Sequence, residues 1–177
     1  MPPRDYFEGF SDGTFLALLG ELQDVSDRVA AISAAAFLDD TLGAALLARF
    51  VKVGVTWKDR IFSSPNAPLS SFYSKTVIGY ALGLFGPTIY ADLDIIRKIR
   101  NEFAHTATPL QFNDTAIAAL CSRLTSSNRF QMGLGPLLVS ESGPKVEYVR
   151  SVYGIAVTLL GQMRSVSSRP AFPSVLP

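Results

Sequence analysis

The run Val29-Ala30-Ala31-Ile32-Ser33-Ala34-Ala35-Ala36-Phe37-Leu38 constrains this chain more than any other stretch of it. At helical spacing it is apolar on almost every side. A helix of that kind has little to offer water, so it lies centrally and is touched by neighbours on several sides. The small alanines let those neighbours approach closely. The following acids, Asp39 and Asp40, interrupt the run. Adjacent helical positions diverge by about 100°, so the two acids do not converge on one ion, and the reading adopted is one acid facing solvent and the other paired with a base.

The remaining segments supply the covering helices. A first helix is expected from Ser11 or Asp12, with Phe15, Leu18, Leu19 and Leu22 at i, i+3, i+4, i+7. The central helix starts after Ser26 and runs to about Val51. From Trp57 to Pro68 the signals change, and Ser63-Ser64-Pro65-Asn66-Ala67-Pro68 reads as loop. A third helix is expected over about Leu69 to Phe85, burying Phe72, Thr76, Val77, Tyr80, Ala81 and Leu84. A fourth covers about Thr88 to Thr106, with Pro87 placed to open it. A fifth covers about Asp114 to Ser126. The last begins near Pro144 and ends near Val166, with Val149, Val152, Tyr153, Ala156, Leu159, Leu160 and Met163 as its stripe. The Gly133-Leu134-Gly135 segment reads as a turn before a short extended stretch and lacks the glycines, lysine and context of a phosphate loop. The fold class is therefore all-α, one domain over residues 1–166 with a flexible tail at 167–177.

Nearly half of the residues are apolar and 18% are charged, which excludes disorder. The mean hydropathy of +0.26 raises the question of a membrane. The longest uncharged run, Thr76 to Ala91, contains Gly79, Gly83, Gly86 and Pro87 and is shorter than the roughly 20 apolar residues of a spanning helix. No membrane association is expected. Met1-Pro2-Pro3-Arg4-Asp5 is not the start of a secretory signal, and a lone cysteine, Cys121, fits a reducing compartment, so the expected location is cytoplasmic. Sixteen basic against fifteen acidic side chains give a net charge of +1, without the basic excess of a dedicated nucleic-acid binder. One histidine and one cysteine do not make a zinc site by the usual ligand sets, and no nucleotide-binding fingerprint appears, so no metal or cofactor is expected.

The chemically distinctive residues lie late in the fourth helix, in Arg100-Asn101-Glu102-Phe103-Ala104-His105. Projection at 100° per residue puts Ile89, Leu93, Ile96, Ile99 and Phe103 on a core side. Arg97, Asn101 and His105 line another side, with Arg100 at its border. The candidate catalytic residues are Arg100, Asn101 and His105. Attack of a ribose 2′-hydroxyl on its phosphate needs a group that takes and gives protons and a cation beside the phosphate, and imidazole and guanidinium supply these roles. Arg100 and His105 lie about 140° apart on an ideal helix, so two copies across a two-fold axis are the simplest way to put both on one phosphate. A purely structural use stays open: Arg100 holding Asp39 or another acid, Asn101 bonded to a loop, His105 capping its own helix.

Two stretches resemble the mannitol operon repressor (MltR) family. One is Ser26-Asp27-Arg28 with Ala35-Ala36-Phe37-Leu38-Asp39-Asp40-Thr41-Leu42. The other runs from Leu69-Ser70-Ser71-Phe72-Tyr73-Ser74-Lys75 through Tyr80-Ala81-Leu82-Gly83-Leu84 to Ile96-Arg97-Lys98-Ile99-Arg100-Asn101-Glu102-Phe103-Ala104-His105. The similarity covers about residues 20 to 125. It implies a compact helical fold and a role in transcriptional repression. No helix-turn-helix or basic recognition helix is visible, so that role is expected to run through an unknown protein partner rather than direct reading of DNA. Arg100-Asn101-x-x-x-His105 also resembles the Arg-x4-6-His motif of HEPN domains, helical proteins that often dimerise and include metal-independent RNases. That resemblance implies an HEPN-like bundle, a homodimer and, as the alternative function, a toxin or defence endoribonuclease acting on RNA through Arg100, Asn101 and His105.

Overall fold

The computed structural model describes residues 21–22, 24–51, 53–126 and 142–164. Among these residues the protein is all-helical, with no strand. The first expected helix up to residue 20, the Gly133-Leu134-Gly135 segment and the tail at 167–177 lie outside them. The elements are α1 (Asp27–Arg49), α2 (Val55–Lys58) continuing into a π-helical turn (Asp59–Ser63), α3 (Phe72–Ala81), α4 (Pro87–His105), α5 (Thr115–Cys121) and α6 (Pro144–Arg164).

Helix α1 begins where Ser26 accepts the Val29 amide on its hydroxyl at 3.4 Å, satisfying one of the donors a helix start leaves open. It is central, packing against α3, α4 and α6. Ala30, Ala31, Ala34, Leu38, Leu42, Ala45 and Leu46 are buried along it. By length and composition α1 is the one helix among the described residues that could also cross a membrane, but a helix enclosed in a bundle passes the same test. Asp39 pairs with Lys75 at 2.7 Å, and Asp40 is exposed. The divergence of adjacent helical positions produces that split.

Helix α3 differs from expectation. It is shorter than the predicted 69–85, and Tyr80 and Ala81 are exposed while Lys75 and Gly79 are buried. Its start is fixed by Ser71, whose hydroxyl accepts the Ser74 amide at 3.0 Å. Its end is a Schellman turn: Gly83 takes φ +69, its amide bonds Tyr80 O, and the Leu84 amide bonds Gly79 O. The buried stripe is Phe72, Lys75, Thr76 and Gly79, because the Lys75 stem packs inward to reach Asp39 and leaves Tyr80 to face Tyr90 at 5.1 Å. The expected loop at 63–68 is found from Ser64 onward, while the segment before it is helical, since α2 and the π-helical turn extend to Ser63. The chain then turns at Asn66, at φ 63.

Helix α4 opens at Pro87 and buries Leu93, Ile96, Ile99 and Phe103 as the projection requires, with Ile89 partly buried. Asp92 and Ile95 are buried as well. The Asp92 carboxylate accepts the Ser126 amide at 2.7 Å and the Thr125 amide and hydroxyl at 3.2 Å, so three donors from two residues justify its burial. Helix α5 ends at Cys121, earlier than expected, and α6 begins at Pro144 as expected. The buried side chains from Leu22 to Leu159 form one contiguous apolar cluster.

Candidate functional site

The last turn and a half of α4 stands on an aromatic foundation. Phe103 is fully buried, and its ring meets Phe112 at 4.9 Å; Phe112 in turn meets Tyr148 of α6 at 5.2 Å. The buried Tyr148 hydroxyl donates to Ala31 O of α1 at 2.9 Å. Burial pushes that phenol well above its ordinary pKa, with Cys121 adding to the rise and the Arg100 charge opposing it. Three helices and the loop after α4 are thereby locked together under the motif. Its other side chains point outward: Arg100, Glu102, Ala104 and His105 are exposed and Asn101 is half-buried.

Arg100 does not hold Asp39, which belongs to Lys75. Its Nη1 donates instead to Asn101 Oδ1 at 2.9 Å. Among the described residues no carboxylate pairs with Arg100, and His105 forms no hydrogen bond that would make it the cap of its own helix. The Arg100–Asn101 contact bears on the 140° problem. Asn101 is about 40° from His105 in projection, so a guanidinium bonded to its oxygen is drawn toward the histidine side. The structure therefore brings Arg100 and Asn101 together. His105 stays apart from both, about 7.5 Å further along the axis from Arg100 by helical rise.

Arg97, on the same polar side, is engaged elsewhere. It bonds Asp94 at 2.7 Å and lies over the Tyr73 ring at 5.5 Å. Asp94 also holds Lys98 at 2.8 Å. Partial burial raises the Asp94 pKa, but the hydrogen bonds from Lys98 and Arg97 outweigh it and hold the carboxyl below its usual value. The loop after His105 is tied down by the first turn of α1. Arg28 Nη2 reaches Thr106 O at 2.6 Å and Thr108 O at 3.2 Å, and Asp27 Oδ2 accepts the Phe112 amide at 2.9 Å. Lys145 of α6 joins Asp27 at 3.4 Å and donates to Val25 O at 2.8 Å. Sequence projection along α4 alone could not reveal Asp27 and Arg28, because their contribution is made across 78 to 85 residues of chain.

Among the described residues no three His, Cys, Asp or Glu side chains gather into a set that could hold a metal ion. At the C-terminal end of α1, an open apolar groove of about 520 Å³ is lined by Phe50, Val51, Val53, Ile61, Leu69 and Ile78, among others. Val55 and Trp57 are exposed in the 50–69 segment that forms most of it. Spacing along one helix carries no signal for this groove, since its residues come from the 50–69 segment and from α3. Comparison with known proteins found no family model, no curated protein and no solved structure that matches this chain.

Proposed function

We propose that the end of α4 is a site for an RNA phosphodiester, of the HEPN kind, and that it cleaves the strand when two copies of the chain face each other. The observation that carries this is the exposed Arg100 guanidinium, whose partner among the described residues is the neutral Asn101 oxygen, in the same helix turns as the exposed His105. A guanidinium without a carboxylate partner keeps donors for a non-bridging phosphate oxygen. The chain's sole histidine supplies the proton transfer.

In the reaction the neutral His105 imidazole of one copy takes the 2′-hydroxyl proton. The 2′-oxygen forms a bond to phosphorus, and the bond from phosphorus to the 5′-oxygen breaks. Arg100 of the second copy neutralises the charge that builds on the non-bridging oxygens. The departing 5′-oxygen takes its proton from an imidazolium or from water. A 2′,3′-cyclic phosphate and a 5′-hydroxyl result. Asn101 holds the guanidinium on the histidine side, and no step calls for a metal ion.

The test is incubation of purified protein with mixed RNA, with and without EDTA, beside Arg100→Ala and His105→Ala. Cleavage that survives EDTA and is lost in both folded variants supports the reading. Absence of cleavage by folded, dimeric wild-type protein refutes it for naked RNA.

A second reading, a cytoplasmic regulator of the MltR type working through a protein partner, draws support from the sequence resemblance, the near-zero net charge and the exposed apolar side chains around the groove. It predicts that Trp57→Asp abolishes repression in cells while Arg100→Ala and His105→Ala preserve it. The phosphodiester reading predicts the reverse.

A further inference from the structure

We infer that Arg28 is a positioning residue for His105, holding the last turn of α4 in the shape that aims the imidazole; this rests on the phosphodiester reading above. His105 is the final residue of α4, where helices fray because the last carbonyls lack partners in the helix itself. The helix is closed there by a single bond, from the Thr106 amide to Glu102 O. Beyond that bond nothing intrinsic to α4 fixes the direction in which the chain leaves.

Arg28 supplies the constraint. One of its guanidinium nitrogens bonds Thr106 O and Thr108 O together, at 2.6 and 3.2 Å. The adjacent Asp27 receives the Phe112 amide, so consecutive residues of α1 grip both ends of the seven-residue connection from Thr106 to Phe112. Packing alone does not need this arrangement. The buried Phe103, Phe112 and Tyr148 rings already anchor the loop's far end, whereas the Arg28 bonds fall on carbonyls one and three residues after His105. A cation at the negative end of the α4 dipole also favours the helical state of that turn. The chemical step depends on sub-ångström aim, and a displacement of about 1 Å costs on the order of 100-fold in rate. The core residues are therefore expected to govern whether the protein folds, and Arg28 whether His105 points correctly.

The experiment compares wild type, Arg28→Ala and Arg28→Lys by RNA cleavage kinetics, thermal unfolding and NMR. As the chain's only histidine, His105 gives an unambiguous imidazole signal. In Arg28→Ala we expect kcat to fall by roughly 10- to 100-fold while KM changes by less than about threefold. In Arg28→Lys, which keeps a cation within reach of the carbonyls, we expect most of the rate to return. The Thr106 amide should exchange about tenfold faster in Arg28→Ala, with amides in the middle of α1 unchanged. An unchanged kcat, or a loss in proportion to the unfolded fraction and not rescued by lysine, overturns the inference. If the wild-type protein cleaves no RNA, the functional reading fails on its own and the NMR arm still decides. Faster Thr106 exchange with a reoriented His105 ring upholds the positioning role, and an unmoved ring and amide refute it.

Discussion

Gly79 offers the sharpest test of the packing, because local and tertiary physics give its substitution opposite signs. It lies within α3, where alanine is favoured over glycine by about 0.5–1 kcal/mol. A Cβ at this position, however, would sit 2.8 Å from Phe85 Cε1, 3.0 Å from Phe85 Cζ and 3.4 Å from Leu42 Cδ1. The Phe85 ring is buried and follows directly on the Schellman turn, so it has no exposed direction in which to swing. Overpacking of this kind costs about 1–3 kcal/mol, so Gly79→Ala is expected to lose about 1 kcal/mol net. For a chain of this length that lowers the thermal midpoint by about 2–4 °C.

Gly161 of α6 is the control. Nothing lies within 4 Å of its added Cβ, so Gly161→Ala should be neutral or stabilising by up to about 1 kcal/mol. Urea unfolding followed by far-UV circular dichroism, with both variants beside wild type, reads the difference. In the background of Phe85→Leu the Gly79→Ala penalty should shrink, giving a coupling of about 0.5 kcal/mol or more. A Gly79→Ala protein as stable as Gly161→Ala would refute the close approach of α3 to Phe85 and Leu42.

Two further predictions concern buried polar groups. Asp92→Ala removes the acceptor of the Ser126 and Thr125 amides and should cost about 2–3 kcal/mol in urea unfolding, whereas exposed Asp114→Ala, whose carboxylate holds the Gln111 amide, should cost about 1 kcal/mol or less. Cys121 is fully buried, and burial, with a smaller push from Glu147, raises its thiol pKa to about 12. The native protein should therefore resist a thiol reagent at pH 8 and react on addition of urea. Because the unfolded thiol ionises near pH 9 and the folded one does not, stability should fall as pH rises from about 9 toward 12, and Cys121→Ala should flatten part of that slope. Rapid labelling of the folded protein would contradict the burial.

The patterns readable in the sequence were those confined to one helix. Ser26 as a cap, Pro87 at a helix start, the enclosed α1 and the stripe Leu93, Ile96, Ile99 and Phe103 all follow from spacing along the chain. The errors arose where a distant partner decided the outcome. Tyr80 was expected inside, but Lys75 occupies the inward stripe because Asp39 is 36 residues away and within its reach. Asp92, on which spacing along the chain is silent, is buried because Thr125 and Ser126 bring their donors to it from 33 and 34 residues away. At the candidate site the sequence singled out Arg100, Asn101 and His105 by type and projection. Arg28 and Asp27, which brace the loop behind them, carried no local signal.

The distribution of charge along α4 explains why Arg100 has no carboxylate partner among the described residues. Asp94 is the carboxylate within a turn of two cations, and it holds both Arg97 and Lys98. Arg100 is six residues beyond it, outside the i+3 and i+4 reach of a helical acid. Glu102 is two positions further on, about 200° around the axis, where a side chain cannot meet it. Asp39 is committed to Lys75, and Asp27 to Lys145 and the Phe112 amide. Among the described residues the helix thus neutralises its middle and leaves a guanidinium beside a neutral amide near its end. Moving a carboxylate into reach, as in Ala104→Glu at i+4 from Arg100, would supply the missing partner without touching the core, since Ala104 is exposed. If Arg100 serves an external phosphate, that variant should keep the fold and its unfolding midpoint while RNA cleavage or binding drops by about tenfold or more. Undiminished RNA action in the presence of an internal carboxylate would mean that Arg100 is not the group that meets the phosphate.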